Sequence, residues 1–109
     1  MRVAIVGSRG IRVSNIGEYL FECDEIISGG AKGVDDCAAE YAKENGIRLS
    51  VILPKYERYG KAAPIIRNRE IVDSCDYVIA FWDGCSRGTL SVIRYSEKTR
   101  KPYKLVFVK

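Results

Sequence analysis

The sequence predicts an α/β fold: one domain over residues 1–109, built as a three-layer sandwich with a mainly parallel five-stranded sheet and helices on both faces. Three observations predict it. Short, continuous apolar runs recur along the chain, as in strands buried on both faces of a parallel sheet. Segments with helical spacing of apolar residues separate them. Alternation of the two kinds of element is the mark of a parallel sheet with helix crossovers. With 109 residues, 47% of them hydrophobic, the chain suffices for one domain and one core without metals or disulfides.

The first strand is Val3-Ala4-Ile5-Val6, followed by Gly7-Ser8-Arg9-Gly10. Ser8 and Arg9 are donors suited to a phosphate, and Gly7 lets the backbone approach closely; an ordinary turn with an exposed arginine is the alternative. A first helix is expected from Asn15, capped by it, with Glu18 reaching back and Ile16, Tyr19 and Leu20 facing the sheet.

Strand two covers Glu25 to Ser28 and runs into Gly29-Gly30-Ala31-Lys32-Gly33. A helix follows from about Gly33 to Asn45, with Val34, Cys37, Ala38, Tyr41 and Ala42 in one stripe and Gly46 as its stop. A strand, a glycine turn and a helix start together aim backbone N–H groups and a positive helix end at one point, where an anion fits. The alternative is a strand-to-helix turn that binds nothing. Asp35 lies in the first turn of the helix. It either complements the helix dipole or accepts from a ribose or base.

Leu49 to Leu53 is strand three, closed by Pro54. The loop Lys55 to Lys61 mixes basic and aromatic residues, suiting a lid, a stacking strip for single-stranded nucleic acid, or plain solvation. Pro64 fits the first turn of a third helix ending near Ser74. Arg67 and Arg69 lie on that helix two residues apart and so face different ways; Arg67 is expected at the site, with Asn68 beside it. Tyr77 to Trp82 is strand four, and Asp83-Gly84-Cys85-Ser86-Arg87-Gly88-Thr89 leads into a fourth helix carrying Leu90 and Ile93. Leu105 to Val108 is the last strand.

In such a sheet, ligands sit beyond the carboxyl ends of the strands where the strand order reverses. The turns after strands one, two and four all open on that edge, which points to a nucleotide-like ligand. The Gly-x-Gly-x-x-Gly and P-loop spacings are both absent. There is no histidine, so the usual general base is missing; the four cysteines lack metal or redox spacing and read as core fillers, except Cys85 in a loop. No metal site is expected. A net charge of +4 suits a small anion and is too weak alone to argue for duplex DNA. No membrane-spanning run and no signal peptide are read, so a cytoplasmic protein is expected.

Four motifs in order carry a resemblance: Gly7-Ser8-Arg9, Ser28 to Asp35, Arg67-Asn68-Arg69, and Phe81-Trp82-Asp83-Gly84 with Ser86-Arg87-Gly88-Thr89. From Val3 to about Tyr103 the chain resembles the SLOG superfamily, which joins the DNA-processing protein Smf/DprA to the Lonely Guy phosphoribohydrolases. It is most similar to the short, free-standing YspA-like (YAcAr-type) proteins. The resemblance implies a Rossmann-like sheet and a nucleotide or nucleotide-derived ligand, sensed or processed. It implies a wall of Gly7, Ser8 and Arg9; a second of Ser28, Gly29, Gly30, Ala31, Gly33 and Asp35; a lid side of Arg67 and Asn68; and Trp82 with a phosphate cradle of Asp83, Gly84, Ser86, Gly88 and Thr89. The Lonely Guy glutamate after the Gly-Thr loop is missing, since Leu90, Ser91 and Val92 follow Thr89. Hydrolysis of a nucleoside phosphate would therefore fall to Asp35 or Asp83, and binding without turnover is the expectation. A single-stranded DNA module and a self-associating protein are the further alternatives for partners.

Overall fold

The computed structural model describes residues 1–108. Five strands form one parallel sheet: β1 (Arg2–Gly7), β2 (Glu25–Ser28), β3 (Arg48–Val51), β4 (Tyr77–Trp82) and β5 (Tyr103–Phe107). Their spatial order is β3-β2-β1-β4-β5. The chain builds outward from β1 to β3, crosses over the sheet, and builds outward again from β4 to β5. The order therefore reverses between β1 and β4, which pair directly with Ile5 opposite Ile79. The doubly wound Rossmann-like sandwich expected from the sequence is what the chain forms.

The period-two alternation of the strands sorts the core into two layers. Val3, Ile5, Ile26, Ile79 and Phe81 face one side, where α1 (Val34–Glu44) packs through Val34, Cys37, Ala38 and Ala42. Ala4, Val6, Ile27, Val78 and Ala80 face the other, against Ile71, Val72 and Cys75 of α3 (Ala63–Ser74) and Val92 and Ile93 of α4 (Arg87–Lys98). β1 is buried on both faces, which is why its sequence is continuously apolar.

Three local expectations need correction. The first helix is a single 3-10 turn, Ile16–Tyr19. Asn15 does not cap it; its side chain donates to the Glu18 carboxylate instead. Gly17 weakens helix propensity, and Leu20 is already extended, with Glu22 left-handed at φ 46°. The turn still delivers Ile16 to the core and sets the Tyr19 ring edge-on to Phe81, 5.4 Å between centroids. The basic and aromatic loop is partly helical: α2 (Tyr56–Tyr59) runs into a 3-10 turn, Gly60–Ala62, and then α3. In it the Arg58 guanidinium lies over the Tyr59 ring at 5.3 Å. The last strand begins earlier than its apolar run, at Tyr103, because pairing with β4 sets its limits.

Among the described residues, no helix is long and apolar enough to cross a membrane.

Candidate functional site

The parallel strands deliver the turns after β1, β2 and β4 to one rim. There they surround a cavity of about 450 Å³, at the reversal of strand order. Gly7, Ser8, Arg9 and Gly10 line one side. Gly29, Ala31 and Asp35 line the next, Pro64, Arg67 and Asn68 of α3 the third, and Asp83, Ser86, Gly88 and Thr89 the last. Its volume lies within the usual range for small-molecule sites, about 300–1,000 Å³.

Close packing at β1 requires glycine. A Cβ at Gly7 would lie 2.8 Å from the Phe81 main-chain oxygen and 2.6 Å from Val34 Cβ. Ser8 then bridges the two central strands. Its N–H donates to Phe81 O at 3.1 Å, and its Oγ accepts from the Asp83 N–H at 3.3 Å. The turn after β1 is thus fastened to the end of β4. Ser8 is buried, while Arg9 stands exposed at the mouth.

The turn after β2 is held by side chains from two helices. Asp35 is buried on the first turn of α1, and its Oδ2 accepts from the Ala31 N–H at 3.0 Å. From the first turn of the helix the carboxylate therefore closes the glycine turn, while also lining the cavity. From α3, Arg67 Nη1 donates to Gly29 O at 2.7 Å, and Arg67 Nε donates to Asn68 Oδ1 at 2.9 Å. Asn68 in turn donates from Nδ2 to Gly88 O at 3.4 Å. One chain of polar contacts runs from the turn after β2, through α3, to the start of α4.

Burial pushes the Asp35 carboxyl above its ordinary value of 3.8, opposed by the Ala31 N–H and the Arg67 charge. Burial also pulls the Arg67 guanidinium down; Asp35 and Tyr56 oppose this, and Arg9 adds to it. Asp83 moves the other way. Its Oδ1 accepts from the N–H groups of Ser86 and Cys85, each at 2.8 Å, and these hold its carboxyl below 3.8. The cavity thus carries two carboxyls whose proton affinities are driven apart.

Several amides that the glycine turns present are already engaged. Those of Ala31, Cys85 and Ser86 go to Asp35 and Asp83, and Gly30 N–H donates to Ser28 Oγ at 3.3 Å. The first turn of α4 differs: no side chain caps it, and Gly88 and Thr89 at its start line the cavity. Ser86 Oγ and Thr89 Oγ1 lie 3.4 Å apart at this end.

Five of the residues expected at the site do not line the cavity. Ser28 binds the Gly30 amide. Gly30, at φ 72°, turns toward Val51 and Leu53. Gly33, at φ 77°, lies beneath the main chain of Ser8 and Arg9, where a Cβ would come within 2.7 Å of Ser8 O. The Trp82 indole N–H donates to Ser86 O at 2.9 Å and so braces the loop from behind. Gly84, at φ 86°, faces the Phe107 ring. Conversely, Val6, Gly10, Pro64, Ile71 and Val92 line the cavity although sequence reasoning did not assign them to it. Val6, Ile71 and Val92 are aliphatic residues of a strand or helix, and in the sequence they look like core. Pro64 was legible only as a helix start, and Gly10 only as the end of the first turn.

No protein-family model matches the chain, and no solved structure matches it. The chain is similar to the Gene 61 protein of Mycobacterium phage D29, with 34% identity over 83 residues. That alignment covers 71% of this chain and 66% of the phage protein, so the chain spans just under two-thirds of its relative's length.

Proposed function

We propose that this protein binds a nucleotide or nucleotide-derived ligand at the carboxyl edge of its sheet, as a cytoplasmic sensor or processing protein of the SLOG type. One observation carries the reading. Three turns from distant parts of the sequence, around residues 7–10, 29–35 and 83–89, line one cavity where the strand order reverses. The cations of Arg9 and Arg67 and the uncapped start of α4 favour an anion there. The four-motif resemblance supports the same ligand class.

A second reading, N-glycosidic hydrolysis of a nucleoside phosphate, is favoured by Asp35 and Asp83. Opposite shifts in two carboxyls of one site are how a proton donor and a proton acceptor are kept apart. Both line the cavity, and in a chain without histidine a carboxylate is the default general base.

A thermal-shift panel of nucleoside mono-, di- and triphosphates tests binding. A ligand at ten times its Kd stabilises by about 1.4 kcal/mol, which raises the Tm of a domain this small by roughly 5–10 °C. A panel with no shift at millimolar concentrations contradicts the reading. Free base released in the same samples, and lost in D83N, would favour the hydrolase.

A further inference from the structure

Independently of the nucleotide reading, we propose that the free edge of β5 is a docking surface for a second copy of this chain, the two β5 strands pairing antiparallel about a two-fold axis at Leu105.

The backbone sets the edge. β5 ends the sheet beyond β4. Val108 N–H donates to Trp82 O, and Pro102 O accepts from Val78 N–H. The even-numbered residues therefore turn their main-chain groups toward β4. Successive residues of a strand alternate, so Tyr103, Leu105 and Phe107 turn theirs outward. No bond among the described residues occupies these outward groups. In an antiparallel ladder, a hydrogen-bonded pair exchanges both its N–H and its C=O. A ladder centred on Leu105 sets that residue opposite its own copy, and Tyr103 opposite Phe107 on either side. All three outward residues are then used.

The side chains fit the same register. Tyr103 packs on the layer of α3 and α4, and Val106 and Val108 on the layer of α1. Leu105 and Phe107 share the face of Tyr103 by alternation, and they are 42% and 59% exposed. The two-fold places Leu105 on Leu105 and Tyr103 on Phe107, apolar and aromatic cross-strand pairs of the kind that stabilise sheets. Lys104 is the one charged residue of β5, and an edge lysine commonly guards against strand addition. In this register it stands opposite Val106, so no lysine faces a lysine. An isologous interface demands a surface that matches itself, and this match is what makes a second copy the occupant. The other edge offers less. Ile52 N–H donates to Ser28 O, which leaves only Leu49 and Val51 of β3 turned outward. A single strand pair is small beside the roughly 1,200–2,000 Å² of stable complexes, so a dimer in exchange with monomer is expected.

Amide hydrogen exchange followed by NMR on the full chain, at about 20 μM and about 1 mM, tests this alongside sedimentation equilibrium. At the higher concentration the amides of Leu105 and Phe107 are expected to exchange at least about threefold more slowly, and those of Lys104 and Val106, already turned to β4, to change less. Leu105→Lys, at an exposed position, sets two ammonium groups on the axis. It is expected to weaken the dimer at least about tenfold while the urea midpoint of the dilute monomer stays where it is. Val51→Lys, on the other edge, is expected to leave the association unchanged. A chain that remains monomeric at about 1 mM overturns the inference, since the edge then takes no second copy. A dimer that Leu105→Lys does not weaken, or exchange at Leu105 and Phe107 that ignores concentration, overturns it too.

Discussion

Arg67 Nη1 donates to the main-chain oxygen of Gly29 at 2.7 Å, tying α3 to the turn after β2 across 38 positions of sequence. Gly29 is where this contact and the Asp35 carboxylate converge. A Cβ placed there would stand 2.8 Å from Arg67 Nη1 and 3.1 Å from Asp35 Oδ2. The absent side chain is what lets a cation and a carboxyl from different helices hold the same turn.

Gly29→Ala therefore forces the guanidinium off the Gly29 oxygen. The atom displaced is the far end of a flexible side chain, so the expected cost is that of the lost contact, about 0.5–1.5 kcal/mol in unfolding free energy. Urea denaturation measures it. A change below about 0.5 kcal/mol, on the order of a neutral surface substitution, would show that the turn does not need this glycine.

Arg67→Lys keeps the charge and loses the fork. Lysine cannot donate to both Gly29 O and Asn68 Oδ1 from separate, fixed nitrogens. A destabilisation of about 1–2 kcal/mol is expected from the lost contacts, together with weaker ligand binding. Equal stability and affinity in the lysine variant would reduce Arg67 to a point charge.

The two cavity carboxyls give opposite pH signatures. Asp35 has a raised folded value, so its contribution to stability is complete below 3.8 and is lost as pH rises through the folded value. Asp83 has a lowered folded value, so its contribution is present above 3.8 and is lost as pH falls through the folded value. Asp35→Asn retains an acceptor for the Ala31 N–H while removing the buried charge. Its stability relative to the unsubstituted protein is expected to be higher at pH 7 than at pH 3. Asp83→Asn is expected to flatten the acid limb of the profile. Denaturation midpoints across pH 3–8 read both, and identical profiles for the two variants would contradict the assignment.

The central strands and both layers of the core were legible because strands buried on both faces leave short, continuous apolar runs between helical segments. That only one of Arg67 and Arg69 could face the site followed from helix geometry. Arg67 lines the cavity, and Arg69 lies over the Tyr95 ring at 5.7 Å. Illegible were the roles set by side-chain direction. That Asp35 holds the Ala31 amide, and that Asp83 holds its own loop, depends on where each carboxylate points. Gly30 and Gly84 lie outside the cavity lining although their type and spacing match a phosphate turn; a Cβ there would meet Val51 and Leu53, or Phe107. The aliphatic wall from Val6 to Val92 was hidden because a cavity lining and a core use the same residues.

The most direct measurement is a two-dimensional ¹H–¹⁵N NMR titration of the labelled protein with AMP. Shifts are expected to concentrate on the backbone amides of Ser8–Gly10, Gly29–Asp35 and Ser86–Thr89, the three turns that enclose the cavity. Shifts confined to one of them, or centred on α2 or the β5 edge, would contradict a ligand held where the strand order reverses.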